Sequence, residues 1–233
     1  MHRIYRDWDD LHVVACSKWI ASRANQCGEL AKRDIYVIHN GIDNESVFQP
    51  LKNAKEYIAS NYNLPLNKKY VLFVSPGLSK LKGFDLFLEL VDACTNEGIH
   101  FILVGGEYES RIDNLTAIGK VSDAKELARF YSAADGLVMC SRSDNYPTVC
   151  LEAISCGTPV VGFDVGCVKE TISDGMGESV AFGDITKMKE ALLRVVSKEP
   201  DEDVITKARC SHSKQHMASK YLELYYTILN RHS

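Results

Sequence analysis

The 233-residue sequence has no apolar run long enough to cross a bilayer; its longest, such as YVLFV at 70–74, are strand-sized. Nor is there an excess of basic charge. A net charge of −4 leaves nothing to neutralise a nucleic-acid backbone, so no nucleic acid is expected as a partner. The opening MHRIYRDWDD lacks the apolar core of a secretion signal. The eight cysteines (Cys16, Cys27, Cys94, Cys140, Cys150, Cys156, Cys167, Cys210) show no C-x-x-C spacing. They are expected to be reduced, mostly buried thiols of a cytoplasmic protein, without a disulfide framework or a zinc site. No G-x-G-x-x-G follows a strand-like run, which argues against a nicotinamide enzyme despite Leu103-Val104-Gly105-Gly106. The absence of a G-x-S-x-G elbow leaves a serine nucleophile without support.

Against these absences stands an ordinary globular composition, 45% hydrophobic and 25% charged, in a chain long enough for one large domain or one and a half. Apolar strand-like runs recur at 35–41, 70–77, 99–106, 117–121, 136–141 and 159–166, with helical patterns at 83–96, 123–133, 147–156 and 168–173 between them. Continuous apolar strands alternating with helices predict an α/β, doubly wound parallel sheet covered on both faces, Rossmann-like in class. Two further helices are expected at 186–197 and 206–230. The last carries an apolar stripe through Met217, Tyr221, Leu222, Leu224, Tyr225 and Ile228 that must pack on something. The start differs: VVACSKWIASRANQCG reads as a strand, a Ser17 helix cap and a helix, and IYVIHNGIDNESVFQP as a crossing into the main domain. Residues 1–45 are therefore expected to be the remnant of another domain plus the crossing, and 46–233 the Rossmann-like domain.

The segment SRSDNYPTVCLEAISCGTPVVGFDVG at 141–166 follows an apolar strand, where α/β sheets bind ligands. Pro147 is placed as the first helical residue, and Gly157 with Pro159 stops the helix. The first turn, Pro147 to Cys150, offers free backbone N–H groups and the positive end of the helix dipole, which suits phosphate. Glu152 leans back toward that end, and Asp144 lies in the preceding loop, so both acids can border one ligand. A sugar nucleotide reconciles acids with an anion site, because its hydroxyls need acceptors while its diphosphate needs N–H groups and cations. Read without that ligand, Glu152 forms a surface ion pair and Asp144 caps a turn.

The segment resembles the nucleotide-sugar motif of the retaining glycosyltransferases of family 4, which have the GT-B fold of two facing Rossmann-like domains. Two acids with seven residues between them, Asp144 and Glu152, are followed by Ala153, Gly157, Pro159, Val160 and Val161 in the family's order. Gly166 and Glu170 resemble its Gly-Gly-x-x-Glu turn, Lys82 and Gly83 its Lys-Gly pair, and IHNGID and CSKWIA its lead-in from the acceptor domain. The resemblance implies a donor-binding C-terminal half. In it Glu152 would bind ribose hydroxyls, Asp144 would contact the transferred sugar or stabilise the reacting centre, and Lys82 would neutralise the diphosphate. Thr148 and Val149 would offer backbone N–H groups within the loop Asn145, Tyr146, Pro147, and the turn at Gly119 and Lys120 would hold the base.

Four positions depart from the family pattern. Asp144 stands where glutamate is usual. Asn145 replaces a loop glycine, whose unusual backbone angles asparagine can supply. An arginine before the Lys-Gly pair is missing, with Lys80 as its substitute, and Cys167 replaces the second glycine of the later turn.

The implied donor is a UDP- or GDP-sugar, with no metal and no cofactor required. An N-terminal acceptor domain is the expected missing partner, and the expected setting is the cytoplasm, with peripheral association at the inner face of the membrane through the full-length protein. The rival expectation is a nucleotide-sugar binding or interaction module that does not catalyse. Asp7-Trp8-Asp9 matches a metal signature of another glycosyltransferase fold, but in a charged tail a solvated face is expected. His212 and His216, four apart and without a third ligand, are expected as surface histidines sharing a helix face.

Overall fold

The structure is a computed structural model that describes residues 11–28, 30–172 and 175–231. The Asp7-Trp8-Asp9 triplet lies outside the described residues. The main body is a six-stranded, all-parallel sheet: β3 (Lys69–Ser75), β4 (Ile99–Gly105), β5 (Leu115–Gly119), β6 (Gly136–Met139), β7 (Val160–Phe163) and β8 (Gly177–Val180), in the order β5-β4-β3-β6-β7-β8. The chain starts in the middle at β3, works outward through β4 and β5, then returns to build β6, β7 and β8 on the other side. That reversal is the doubly wound order, and it opens a crevice between the carboxyl ends of β3 and β6.

The inner strands are largely apolar because both faces are covered, whereas the edge strand β8 is half-exposed. On β3, Tyr70 and Leu72 enter one core, and Val71 and Phe73 enter the other, the period of two expected of a pleated strand. One face is covered by α2 (Ala54–Tyr62), α4 (Ala124–Ala133), α5 (Thr148–Ser155) and α8 (Glu202–Ser211). The other is covered by α3 (Phe84–Ala93) and α7 (Ile185–Val196). A four-residue helix, α6 (Val168–Thr171), follows β7. All eight cysteines are unpaired, and five of them are buried while Cys27 and Cys210 are exposed.

Before the main sheet, β1 (Val13–Ala15), α1 (Lys18–Asn25) and β2 (Ile35–Val37) form a separate two-stranded parallel sheet with its helix. Ser17 caps α1 as expected, accepting from the Ile20 N–H at 3.1 Å. A second cap comes from far along the chain: the Glu170 carboxylate accepts from the Lys18 and Trp19 N–H groups, each at 2.8 Å. This ties the small sheet to α6. Replacing Glu170 with glutamine leaves only one acceptor for two N–H groups, and a loss of about 1–2 kcal/mol in urea denaturation is expected. An unchanged midpoint would show that the cap carries no stability.

The end of the chain differs from the single helix expected at 206–230. It is broken into α8 and α9 (Lys214–Arg231), because Ser213 caps the new helix by accepting from the His216 N–H at 3.0 Å. The break receives the crossing segment: the Ile42 N–H donates to the His212 carbonyl at 2.9 Å, and the Lys214 N–H to the Ile42 carbonyl at 3.0 Å. His212 is consequently buried, and burial pushes its imidazole down to about 4, so it is neutral at pH 7. This corrects the surface expectation for His212; only His216, on α9, is exposed, and the two share no helix. Of the apolar stripe on α9, Leu224 is buried, whereas Leu222 and Tyr225 are exposed, as is the neighbouring Tyr226. Among the described residues no helix is long and apolar enough to cross a membrane.

Candidate functional site

The crevice between β3 and β6 holds a cleft of about 280 Å³. Its floor is the ends of the two strands, Phe73 to Pro76 with Val138, Met139 and Ser141. Its walls are Lys82 on one side and Asp144, Tyr146, Pro147, Thr148 and Val149 on the other. Pro147 is the N-cap of α5 rather than its first helical residue, and no side chain caps this helix. The first turn therefore presents the Thr148 and Val149 N–H groups and the positive dipole end to the cleft.

Lys82 and Asp144 meet across this space, Nζ to Oδ2 at 2.8 Å. The other oxygen of Asp144 accepts from the Asn145 N–H at 3.0 Å, which fixes the carboxylate despite its shorter stem. The loop is held from behind by the turn after β7. Gly166 has φ +57, and a Cβ there would overlap the Asp144 carbonyl oxygen. Cys167 donates its N–H to that carbonyl at 3.3 Å and its buried thiol to the Asn145 carbonyl. Gly166 thus supplies the close approach, and a cysteine beside it serves as a donor where glycine is usual. Asn145 does not adopt a left-handed conformation; among the described residues only Asn53 and Asn63 do so outside glycine.

On the outer side of the Lys82 turn, Arg142 forks onto Asp85 at 2.8 and 2.7 Å and holds the Asp85 carboxyl below its usual range. The same guanidinium donates to the Lys80 carbonyl. Lys80 itself is exposed and does not line the cleft.

Glu152 lies outside the lining of the cleft, one turn further along α5. It accepts from the fully buried Tyr131 hydroxyl at 2.8 Å. Burial raises the Glu152 carboxyl above its ordinary 4.5, opposed by the hydroxyls of Tyr131 and Thr148. Thr148 thereby connects Glu152 to the cleft. A folded carboxyl that keeps its proton longer than the unfolded chain makes the protein less stable as pH rises from about 4.5 through the folded value. Glu152→Gln, which still accepts from Tyr131, should be at least as stable as the parent at pH 7 and lose that part of the slope in melts taken across pH. A slope identical to the parent's would contradict this.

The cleft thus gathers Lys82, Asp144, Tyr146, Pro147, Thr148 and Val149. Gly119 closes β5, and Lys120 is exposed beyond it; with Lys80, Asn145 and Glu152 they lie outside its lining. Arg142, Asp85 and Tyr131 carry no signal in the sequence, because each acts through a partner at least 21 positions away. Among the described residues no group of three or more His, Cys, Asp or Glu side chains is placed to hold a metal ion.

A parallel sheet in this order, with a polar cleft at its switch point beside an uncapped helix start, defines a Rossmann-like ligand-binding domain. The chain belongs to the glycosyl transferases group 1 family, whose model matches residues 54–211. It is 27% identical over 197 residues to the D-inositol 3-phosphate glycosyltransferase of Mycolicibacterium smegmatis, covering 78% of this chain and 44% of that protein. Among solved structures, it shares its fold with the sucrose-phosphate synthase of Thermosynechococcus elongatus (TM-score 0.78, 22% identity, 94% of this chain and 59% of the other). The same holds for Anabaena Alr3699/HepE in complex with UDP and glucose (TM-score 0.75, 17% identity, 92% and 62%). The chain spans about half the length of the curated relatives it matches.

Proposed function

We propose that the chain is the donor-binding half of a GT-B glycosyltransferase that transfers a sugar, with retention of configuration, from a UDP- or GDP-sugar to an acceptor. The observation that carries this is the Lys82–Asp144 pair facing the first turn of α5 at the switch point. The diphosphate takes the Thr148 and Val149 N–H groups and draws Lys82 away from Asp144, which is then free to receive the sugar. Lys82 and the helix dipole stabilise the charge that grows on the leaving diphosphate, so no metal is needed in this reading. Glu152, oriented by Tyr131, receives ribose hydroxyls, and the turn at Gly119 and Lys120 holds the base.

The acceptor is bound by further chain, consistent with the half-length match. The setting in this reading is cytoplasmic, in polysaccharide or glycoconjugate synthesis. A second reading, a nucleotide-sugar binding module without catalysis, is favoured by Lys80 lying outside the cleft, where it does not replace the missing arginine. Calorimetric titration with UDP, GDP and their sugar derivatives tests the first claim. Binding of a nucleoside diphosphate supports a donor site, and failure of the whole panel removes it. An assay for sugar release or transfer then separates the two readings.

A further inference from the structure

The geometry points to Arg142 as a positioning residue that acts on the cleft through Lys82, an inference that rests on the diphosphate reading above. Arg142 does not line the cleft. It holds both flanks of the turn from which Lys82 projects. On one flank its Nη1 donates to the Lys80 carbonyl, and its backbone N–H donates to the Leu81 carbonyl at 2.9 Å. On the other, the fork to Asp85 grips the first turn of α3. Lys82 is thereby fixed between two anchored points. Asp144, two residues after Arg142, receives the lysine at 2.8 Å. One residue at the root of the acid loop therefore sets the position of its cation.

The Arg142 side chain is 33% exposed and its Asp85 partner 35%, so the pair adds little to global stability. Its effect is local. Lysine cannot reproduce it, because one ammonium cannot hold a carboxylate in a fork and a carbonyl together.

The test is a double-mutant cycle on the whole chain, with affinity for UDP and GDP measured by calorimetry. Arg142→Lys should weaken binding of the preferred diphosphate about tenfold in the parent, the scale of one charge-assisted hydrogen bond. In a Lys82→Ala background it should change affinity by less than about twofold, because its route through Lys82 is already gone. Equal losses in both backgrounds would overturn the proposal. Amide exchange supplies a readout that needs no ligand: the backbone N–H groups at positions 82 and 142 should exchange faster in Arg142→Lys while those of β3 keep the parent rates. Unchanged exchange at the turn would overturn the proposal even in a chain that binds neither nucleotide, an outcome that would separately remove the diphosphate reading. Should Arg142→Lys fold poorly, Asp85→Asn removes the fork alone, and the same faster exchange at the turn is expected.

Discussion

Gly83→Ala is expected to destabilise the protein by about 3 kcal/mol, the sum of two costs of comparable size. The first is conformational: Gly83 is the N-cap of α3 with φ +73, a region that an L-residue enters at about 1 kcal/mol or more. The second is steric. A Cβ at this position would overlap the carbonyl of Cys140, which is backbone at the end of β6 and cannot swing aside as a side chain could. Relief requires α3 to lift from the sheet, where Leu86, Phe87, Leu90 and Val91 are packed against Val71, Phe73 and Phe101. The damage would extend to the cleft, since Lys82 precedes Gly83 and depends on the same close approach. Urea denaturation measures the loss, and a change below about 1 kcal/mol would mean the turn is far more pliable than this packing allows.

The inner strands of the sheet were legible because a segment covered on both faces must be largely apolar, as IHFILVG in β4 is apart from His100. The edge strand β8 (GESV) is half-exposed and carries no such run, and α2 begins at Asn53 without a side-chain cap, so neither announced itself. The division of the last helix turns on Ser213, which caps α9 where Ile42, far away in sequence, pairs beside it.

At the site, Lys82, Asp144 and the start of α5 were visible because a helix start, its proline and its loop acid are neighbours in sequence. The pairs that orient them were not. Tyr131 with Glu152, Arg142 with Asp85 and Cys167 with Asn145 join residues brought together by the topology of the sheet, and no spacing rule relates them. The orienting partners of a site lie on other elements whenever the site is built at a switch point, so this loss of legibility is a consequence of the architecture itself.

Lys82→Ala is expected to weaken binding of a nucleoside diphosphate by roughly ten- to a hundredfold, the worth of a charge-assisted contact to phosphate. The loss tends to the upper figure because Asp144 is only 15% exposed and loses the cation that balances it. Its carboxylate would then face an arriving diphosphate as a like charge at close range. The same repulsion fixes the signs of two further variants. Asp144→Asn in the Lys82→Ala background should recover part of the lost affinity by removing the repulsion. In the parent background, Asp144→Asn frees Lys82 from its partner, so affinity for the bare nucleoside diphosphate should hold or rise while any sugar transfer by the whole enzyme falls. Calorimetry at two salt concentrations checks the charge origin: the gap between the parent and Lys82→Ala should narrow as salt rises, because the cleft is open to solvent on the Lys82 side, where the side chain is 36% exposed. Equal affinity of parent and Lys82→Ala would sink the assignment of the lysine to the diphosphate. A Lys82→Ala chain that Asp144→Asn weakens further would show that the acid contacts the ligand favourably even without its cation.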